Sequence, residues 1–579
     1  MGLRYDYYSP VKETNNLALL PVGGLAALYD PNVVIDVAGQ NGLWKPDRNN
    51  FAPSFSFSWD PFGGGKTAIQ GGYSINYVID SLIQAAENSA SDGNDGLSSV
   101  QTLSNLTGTV SGAGLVPITT PTFKIPRTLI DQATINQNPV LFTIDPDLRT
   151  PYVQQWNVGV EREFMRNAVA SVRYVGNHGV KQLRGIDINQ VRIFENSFLQ
   201  DFQRAQRNLE LSTALNATNP AIPASPAFNA AVPGSQQLTI IPLVGRRGLF
   251  TTATGSTLDS AIVNFIRTGQ AGELVQRYVN NRNIYLTPGV NGAALSPGFF
   301  LPANARAGNV DYLGNGSYSN YNALQAEMVF RLRNGFHFQT NYTWSKGFND
   351  FEGSDSNFAA LLDLSRGELE KRRSLNDIRH VFKFNGIYPL PFGPGKRFLN
   401  SPNGVISKLF GGWEMSGIFE ARTGRPISIV SARGTVNRAG RSARNTVDTT
   451  LTLDQLRGMT GVFIHPTTGR PLFLDPQLIG PDGRANPAFF QNPTAGKYGS
   501  LQLTPIDGPG YWNLDVGFIK RTRITERTNI EFRAELFNAL NHTNFFISGE
   551  TQDINSESFG QLGSTFDPRI IQFALKFNF

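Results

Sequence analysis

The sequence predicts an all-β protein, an antiparallel β-barrel of the kind that spans a bacterial outer membrane. Three observations support this fold class. Apolar and polar residues alternate with a period of two over segments of about ten residues. Long connections alternate with short ones along the chain. No stretch reaches the roughly 18 apolar residues that a membrane-spanning helix needs, whereas barrel strands cross a bilayer while only half apolar.

The composition agrees with β structure and excludes several classes of function. Gly occurs 58 times among 579 residues, aromatic residues make up 11% and charged residues only 17%. The net charge of +6 is spread out, without the basic run that tracks a nucleic-acid backbone. Cysteine is absent, which excludes disulfides, thiolate metal sites and cysteine nucleophiles. This absence fits an exported protein, although chance or a lineage that avoids cysteine explains it as well.

The glycine-rich sequence at residues 63–67, Gly-Gly-Gly-Lys-Thr, suggests a phosphate-binding loop but predicts a hairpin turn. A phosphate loop needs a glycine where this chain has Asp60, and a helix after the lysine. Period-two alternation runs through residues 51–59 and resumes at 67–77, so two strands flank the glycines.

The same test identifies further strands and brings the count to about twelve, including a strand at residues 3–8. Alternation sorts the side chains of each strand into two faces. Predicted to face lipid are Phe336, Phe338, Tyr342 and Trp344; predicted to face the barrel lumen are His337, Gln339, Asn341, Glu531, Arg533 and Glu535. The remaining predicted strands cover residues 152–164, 168–176, 322–332, 336–346, 380–388, 413–422, 512–521, 528–538 and 571–579.

The lengths of the connections decide between a membrane barrel and a soluble sandwich. Outer-membrane barrels have tight periplasmic turns and long extracellular loops, so short and long connections alternate along the chain. The fold of a sandwich does not require this alternation. Two helical patterns lie in the long loops, at residues 192–209 and 261–278, and are expected to cap the barrel mouth or to contact a ligand. The long connections are 9–50, 80–151, 177–321, 347–379, 423–511 and 539–569; the short ones are 60–66, 165–167, 333–335 and 522–527, and 389–412, on the same side as the short ones, is of medium length.

Several short sequence segments, which are distinctive in combination, resemble the C-terminal barrel of the Oar-like TonB-dependent receptors. The resemblance covers essentially the whole chain. The segments are Pro151-Tyr-Val-Gln-Gln-Trp-Asn-Val-Gly-Val-Glu-Arg-Glu, Tyr321-Asn-Ala-Leu-Gln-Ala-Glu, Asn341-Tyr-Thr-Trp-Ser-Lys, Asn376-Asp-Ile-Arg-His-Val-Phe and Phe532-Arg-Ala-Glu-Leu-Phe-Asn-Ala-Leu-Asn-His-Thr-Asn-Phe. The resemblance implies a barrel of roughly twenty-two strands, an N-terminal plug, and uptake of a bulky solute energised through contact with TonB.

The sequence departs from that family pattern at its start. Plug, TonB box, signal peptide and roughly ten strands are missing, so residues 1–579 are interpreted as a partial barrel domain, its C-terminal half, with an open sheet edge at residues 1–8. The expected partners are outer-membrane lipid, the missing plug and strands, and, through that missing part, TonB. A passive surface or adhesion protein is the alternative function.

The end of the chain is predicted to serve membrane assembly. Phe573, Phe577 and Phe579 alternate with polar neighbours, and the terminal aromatic resembles the residue by which outer-membrane barrels address the barrel assembly machinery.

No catalytic, cofactor or metal site is predicted, and the chain is not expected to be an enzyme. Its five histidines lie far apart, without metal-ligand spacing. Asp377, Arg379 and His380 form the most concentrated polar cluster, at a junction between a loop and a strand. We interpret this cluster as an ion pair and hydrogen bonds that hold the start of the strand at the barrel rim.

Overall fold

A computed structural model describes most of the chain. All structural statements below concern residues 1–12, 14, 18–38, 42–79, 124–133, 139–244, 260–280, 298–331, 335–351, 361–400, 405–439, 445–525, 527–547 and 552–579.

Twelve long strands of the described chain form an antiparallel series in one sheet, in which each strand pairs with the strands before and after it in the series. This order is a meander, in which every connection joins adjacent strands. The strands are β1 (Gly2–Tyr5), β2 (Phe51–Trp59), β3 (Thr67–Tyr77), β4 (Tyr152–Met165), β5 (Ala168–Asp187), β6 (Asn309–Arg331), β7 (His337–Asn349), β8 (His380–Pro389), β9 (Trp413–Arg422), β10 (Tyr511–Arg523), β11 (Asn529–Phe537) and β12 (Ile570–Asn578). Two short strands also join this sheet: Val140–Ile144 pairs in parallel with residues 309–313, and Arg372–Arg373 pairs with residues 348 and 349.

The sheet is not closed into a barrel among these strands. β1 pairs with β2 and β12 pairs with β11, so the outer edges of β1 and β12 stay open in the described sheet. The open edge expected at the first strand is therefore confirmed, although this strand ends at Tyr5 rather than Tyr8.

Strict alternation gives the sheet an aromatic face and a charged face. No register shift interrupts the pairing from β7 through β12, so residues opposite one another share a face across these six strands. Phe338 thereby lies in one row with Leu536 and Ile571, and His337 in another row with Glu535. We call the first side the aromatic face and the second the charged face.

The turn between β2 and β3 is a hairpin and not a phosphate loop. The Asp60 carboxylate accepts hydrogen bonds from the backbone N–H groups of Gly65, at 2.6 Å, and Phe62, at 3.1 Å. The bond from Gly65 is the main reason that the pKa of Asp60 lies below its ordinary value. Gly63 and Gly65 have φ angles of 64° and 68°, which glycine adopts without strain. Residues 333 and 334 of the other predicted tight turn lie outside the described residues.

Two strands extend well beyond their predicted ends. β5 continues to Asp187 and β6 begins at Asn309, inside the predicted long loop. Their paired extensions carry polar residues on both sides, and Asp187 opposes Asp311. The period-two test missed them because it needs one apolar side.

The long connections fold into packed units with cores of their own. One core surrounds three helices and includes Phe198, Phe202 and Phe300; a second is formed by residues between 429 and 506 together with 554–562. The pattern at 261–278 forms two helices rather than one, because Gly269 between them has a φ of 74°. The helices are α1 (Leu129–Ala133), α2 (Phe198–Asn216), α3 (Ser260–Arg267), α4 (Ala271–Asn280), α5 (Val405–Phe410) and α6 (Leu453–Gly458).

Short strands and 3-10 turns complete the connections, and no described helix is long and apolar enough to cross a membrane. The 3-10 turns are Gly24–Tyr29, Ile241–Leu243, Gly367–Glu370 and Pro476–Leu478. The short strands are Leu19–Pro21, Val34–Val37, Arg127–Thr128, Val140–Ile144, Arg372–Arg373, Pro426–Ile427, Val430–Ser431, Asn445–Thr446, Asp448–Thr449, Thr460–Ile464, Pro471–Leu474, Phe490–Gln491, Ile506–Asp507, Phe545–Phe546 and Ser564–Thr565.

Candidate binding pocket at the loop ends of the strands

A cavity of about 420 Å³ lies where β9 ends and β10 begins. Arg422, the last residue of β9, is paired with Tyr511, the first residue of β10, so both side chains lie on the charged face. Arg425, Phe546 and Phe566 complete the part of the wall that matters here. We call this cavity the mouth pocket.

Close approach of two backbone segments forms one wall of the mouth pocket. The N–H of Gly508 donates to the carbonyl oxygen of Arg425 at 2.8 Å. A Cβ at Gly424 would overlap the backbone of Gly508, so this wall requires glycine at position 424.

Three aromatic rings give the mouth pocket an apolar side. Phe566 packs edge-to-face on both Tyr511 and Phe546, with ring centroids 5.1 Å and 5.5 Å apart. Such pairs are favoured over face-to-face stacking and hold the rings in fixed orientations. Phe546 and Phe566 remain exposed, so the pocket offers ring surface to a bound molecule.

The charged residues of the mouth pocket carry an excess of positive charge. Arg422 lies 4.7 Å above the Tyr511 ring, and its Nε is 3.3 Å from Glu420. Glu420 is also 3.5 Å from Lys383 Nζ, so this single carboxylate forms ion pairs with both Arg422 and Lys383. Arg425 is exposed and has no ion pair with any described residue. An anionic group attached to an apolar or aromatic body fits this arrangement.

The predicted cluster of Asp377, Arg379 and His380 is only partly brought together. Asp377 is buried and accepts a hydrogen bond from Gly347 N–H at 2.8 Å, and Arg379 lies 4.0 Å from its carboxylate. Its shortest ion pair is with Arg373, at 2.7 Å, and Arg373 also reaches Asp507 at 2.6 Å. Asp507 directly precedes Gly508, which lies in the pocket wall. The ion pairs of Arg373 therefore connect Asp377 to the wall of the mouth pocket.

The sequence analysis missed Arg373 and Asp507. Arg373 could have been found from the sequence, because it lies four residues before Asp377. Asp507 could not, because it is far from both residues in the sequence.

His380 faces away from that cluster. It is paired with Trp344, which places it on the aromatic face. Its Nδ1 lies 2.7 Å from the hydroxyl of Tyr342, and the two rings are nearly parallel.

The charged face carries an ion network around Glu531. This buried carboxylate accepts hydrogen bonds from Arg521 at 2.8 Å and Arg533 at 2.6 Å, and Arg521 also contacts Glu414 at 2.9 Å. Glu535 lies on the same face, opposite Gly517 and Gln572. The sequence analysis named Glu531, Arg533 and Glu535 but missed Arg521, whose partners lie on neighbouring strands.

The aromatic residues named from the sequence lie together. Phe336 and Phe338 are in ring contact with each other, and Tyr342 and Trp344 follow on the same side of β7. Phe573 stacks on Phe532, and Phe577 stacks on Phe579 just beyond the end of β12. Phe573, Phe577 and Phe579 are exposed.

A meander of long two-faced antiparallel strands, with folded loops at one end and short turns at the other, defines an outer-membrane β-barrel protein. The chain belongs to the outer membrane beta barrel domain family, whose model matches residues 1–572. The protein is therefore a protein of the outer membrane. No curated protein matches the sequence.

Among solved structures, the chain is similar to the outer membrane transporter YddB from Escherichia coli, with 10% identity and a TM-score of 0.38, over 92% of this chain and 41% of that one. The siderophore receptor PirA from Acinetobacter baumannii gives 9% identity and a TM-score of 0.34, over 95% of this chain and 43% of that one. A ferric enterobactin receptor mutant from Pseudomonas aeruginosa has 7% identity to the chain and a TM-score of 0.34, over 93% of this chain and 41% of that one. The chain thus spans about two fifths of the length of these proteins.

Proposed function

We propose that the chain is barrel sequence of a TonB-dependent outer-membrane receptor that takes up a bulky solute. The observation that carries this proposal is the continuity between the mouth pocket and the charged face. Arg422 lines the mouth pocket and also lies on the charged face, where its ion-pair partner Glu420 is two residues away on β9. A solute held in the mouth pocket is thus placed at the loop end of a polar surface that runs along the strands.

The proposal assigns the two faces of the sheet to two environments. The aromatic face, with Phe336, Phe338, Tyr342 and Trp344, contacts lipid. The charged face, with His337, Gln339, Asn341, Glu531, Arg533 and Glu535, lines the lumen. The physical support is the Glu531 network, because its ion pairs are far less costly beside water or packed protein than in hydrocarbon.

Closure of the barrel needs more than the described strands. Unpaired backbone groups at the free edges of β1 and β12 would cost several kcal/mol each in hydrocarbon. In the proposed receptor further strands pair with these edges. A plug and contact with TonB enter the proposal through the family resemblance of the sequence.

The test compares cells that carry the complete gene with cells from which it is deleted. Both are grown in the same medium, with and without a protonophore, and depletion of solutes from the medium is measured by mass spectrometry. We expect a bulky solute to be depleted only by energised cells that carry the gene. Unchanged depletion together with lost attachment of the deletion strain to surfaces would instead support the adhesion function.

A further inference from the structure

The connection between β8 and β9, residues 389–412, has a composition unlike that of a water-exposed turn. It contains Lys396, Arg397 and Lys408 but no Asp or Glu, and it is rich in Phe, Leu and Pro. Large apolar side chains of its helix α5 are exposed, with 82% of Val405, 60% of Leu409 and 50% of Phe410 accessible.

Two hydrogen bonds hold α5 and the residue that follows it against the aromatic face rather than beneath the charged face. Trp413 is paired with Lys520, and Lys520 with Phe532, so all three lie on the aromatic face. The indole N–H of Trp413 donates to the carbonyl oxygen of Leu409 at 3.3 Å. Lys520 Nζ donates to the carbonyl oxygen of Gly411 at 2.7 Å.

The exposed apolar residues of α5 therefore continue the aromatic row of the sheet. Trp413 contacts Phe532 edge-to-face, and Phe532 stacks on Phe573. Trp is favoured at the boundary between hydrocarbon and headgroups, which places Trp413 at the rim of the bilayer. On the other arm of the connection, Arg397 lies 5.4 Å above the ring of Phe398, which packs on Phe392.

We propose that residues 389–400 and 405–412 form an interfacial anchor that inserts α5 into the phospholipid leaflet of the outer membrane on the side of the short turns. The exposed apolar side chains enter the boundary between headgroups and acyl chains, and Lys396 and Arg397 contact anionic headgroups. Apolar surface combined with positive charge is the chemistry that binds a helix to an anionic lipid surface. The anchor rests on the proposed lipid contact of the aromatic face and is independent of any transported solute.

The absence of cysteine allows a direct test. Leu409→Cys and Val462→Cys place single thiols at equally exposed apolar positions, because Val462, in the strand Thr460–Ile464 of a long loop, is 58% accessible. Each variant of the full protein is labelled with bimane in isolated outer membranes, and membranes with the protein that lacks the substitution give the background. The two quenchers are doxyl-labelled phosphatidylglycerol, which resides in the bilayer, and aqueous iodide.

At position 409 we expect the lipid quencher to reduce bimane emission by at least about twofold and iodide to leave the emission unchanged. At position 462 we expect iodide to reduce the emission and the lipid quencher to leave it unchanged. Quenching at 409 by iodide alone would overturn the proposal, because α5 would then lie in water. Quenching by neither reagent would also overturn it, because a protein would then cover α5. Val405→Cys repeats the test if Leu409→Cys fails to assemble. Lost uptake with normal quenching at 409 leaves the anchor intact and counts against the transport function.

Discussion

Arg373 joins two loops that are far apart in the sequence: its Nε lies 2.7 Å from Asp377 and its terminal nitrogen 2.6 Å from Asp507. Asp377 is fully buried at its side chain and also accepts the N–H of Gly347. The guanidinium therefore links the start of β8 to the wall of the mouth pocket.

We predict that Asp377→Ala loosens the mouth pocket without unfolding the sheet. The substitution leaves a buried guanidinium and a backbone N–H without their shared acceptor, at a cost of roughly 3 kcal/mol. Hydrogen exchange should become faster in residues 423–510 and stay unchanged in β10 to β12. Asp482→Ala, which removes an exposed ion pair with Arg484 and a local hydrogen bond from the Arg484 N–H, is the matched control. Equal effects of the two substitutions would contradict the prediction.

Arg425→Ala is predicted to weaken solute recognition while leaving assembly normal. The exposed guanidinium has no ion pair within the described chain, so its loss costs the fold little. Loss of one charge-assisted hydrogen bond should raise the KM of energised uptake about tenfold with little change in maximal rate. Arg457→Ala, at an exposed ion pair on α6, should leave uptake unchanged. An unaltered KM in Arg425→Ala would exclude the mouth pocket as the site.

Tyr498 is predicted to resist ionisation in alkaline solution. Burial raises the pKa of Tyr498, and the hydrogen bond that its hydroxyl donates to Asp363 raises it further. Since the folded state favours the neutral phenol, its contribution to stability is complete below the ordinary tyrosine pKa and is lost as the pH rises through the folded value. Tyr498→Phe should therefore leave the tyrosinate absorbance of the folded protein at about pH 11 unchanged, whereas in the unfolded protein the same substitution should lower it. An equal loss of absorbance in the folded and the unfolded protein would show that Tyr498 is not protected.

Deletion of Phe579 is predicted to lower the amount of protein inserted in the outer membrane. The exposed rings of Phe577 and Phe579 stack at the end of the aromatic face, and aromatic rings are favoured at the boundary of a lipid bilayer. Insertion is measured by the heat-dependent gel shift of the complete protein, next to uptake per inserted molecule. Phe62→Ala, which removes an exposed ring in a turn, is the control. Normal insertion with lost uptake would refute an assembly role.

Sequence patterns located the membrane strands well because their signal is local. The strand predicted at residues 67–77 is confirmed as β3, from Thr67 to Tyr77. It could be found because the apolar or polar character of each residue indicates which face of the strand it occupies. The extensions of β5 and β6 were missed because neither of their sides is apolar. The helix break at Gly269 depends on one backbone angle, which a pattern of apolar residues does not report.

The mouth pocket could not be predicted from the sequence. Its walls come from four separate segments, around Arg422, Gly508, Phe546 and Phe566, and their proximity depends on the pairing of β9 with β10 and on loop packing. Arg521, one of the two partners of Glu531, was missed for the same reason, because Arg521 and Glu531 belong to different strands. Ion pairs across a sheet require the register, and the sequence alone gives only the faces.

The central claim is that the aromatic face contacts lipid and the charged face does not. Single cysteines at positions 338 to 344 of β7, labelled with bimane in the outer membrane, test it most directly with a lipid-resident doxyl quencher. The account predicts strong quenching at 338, 340, 342 and 344 and weak quenching at 339, 341 and 343, in step with the pleat of the strand. Equal quenching at consecutive positions, or stronger quenching at 339 and 341 than at 342 and 344, would contradict it.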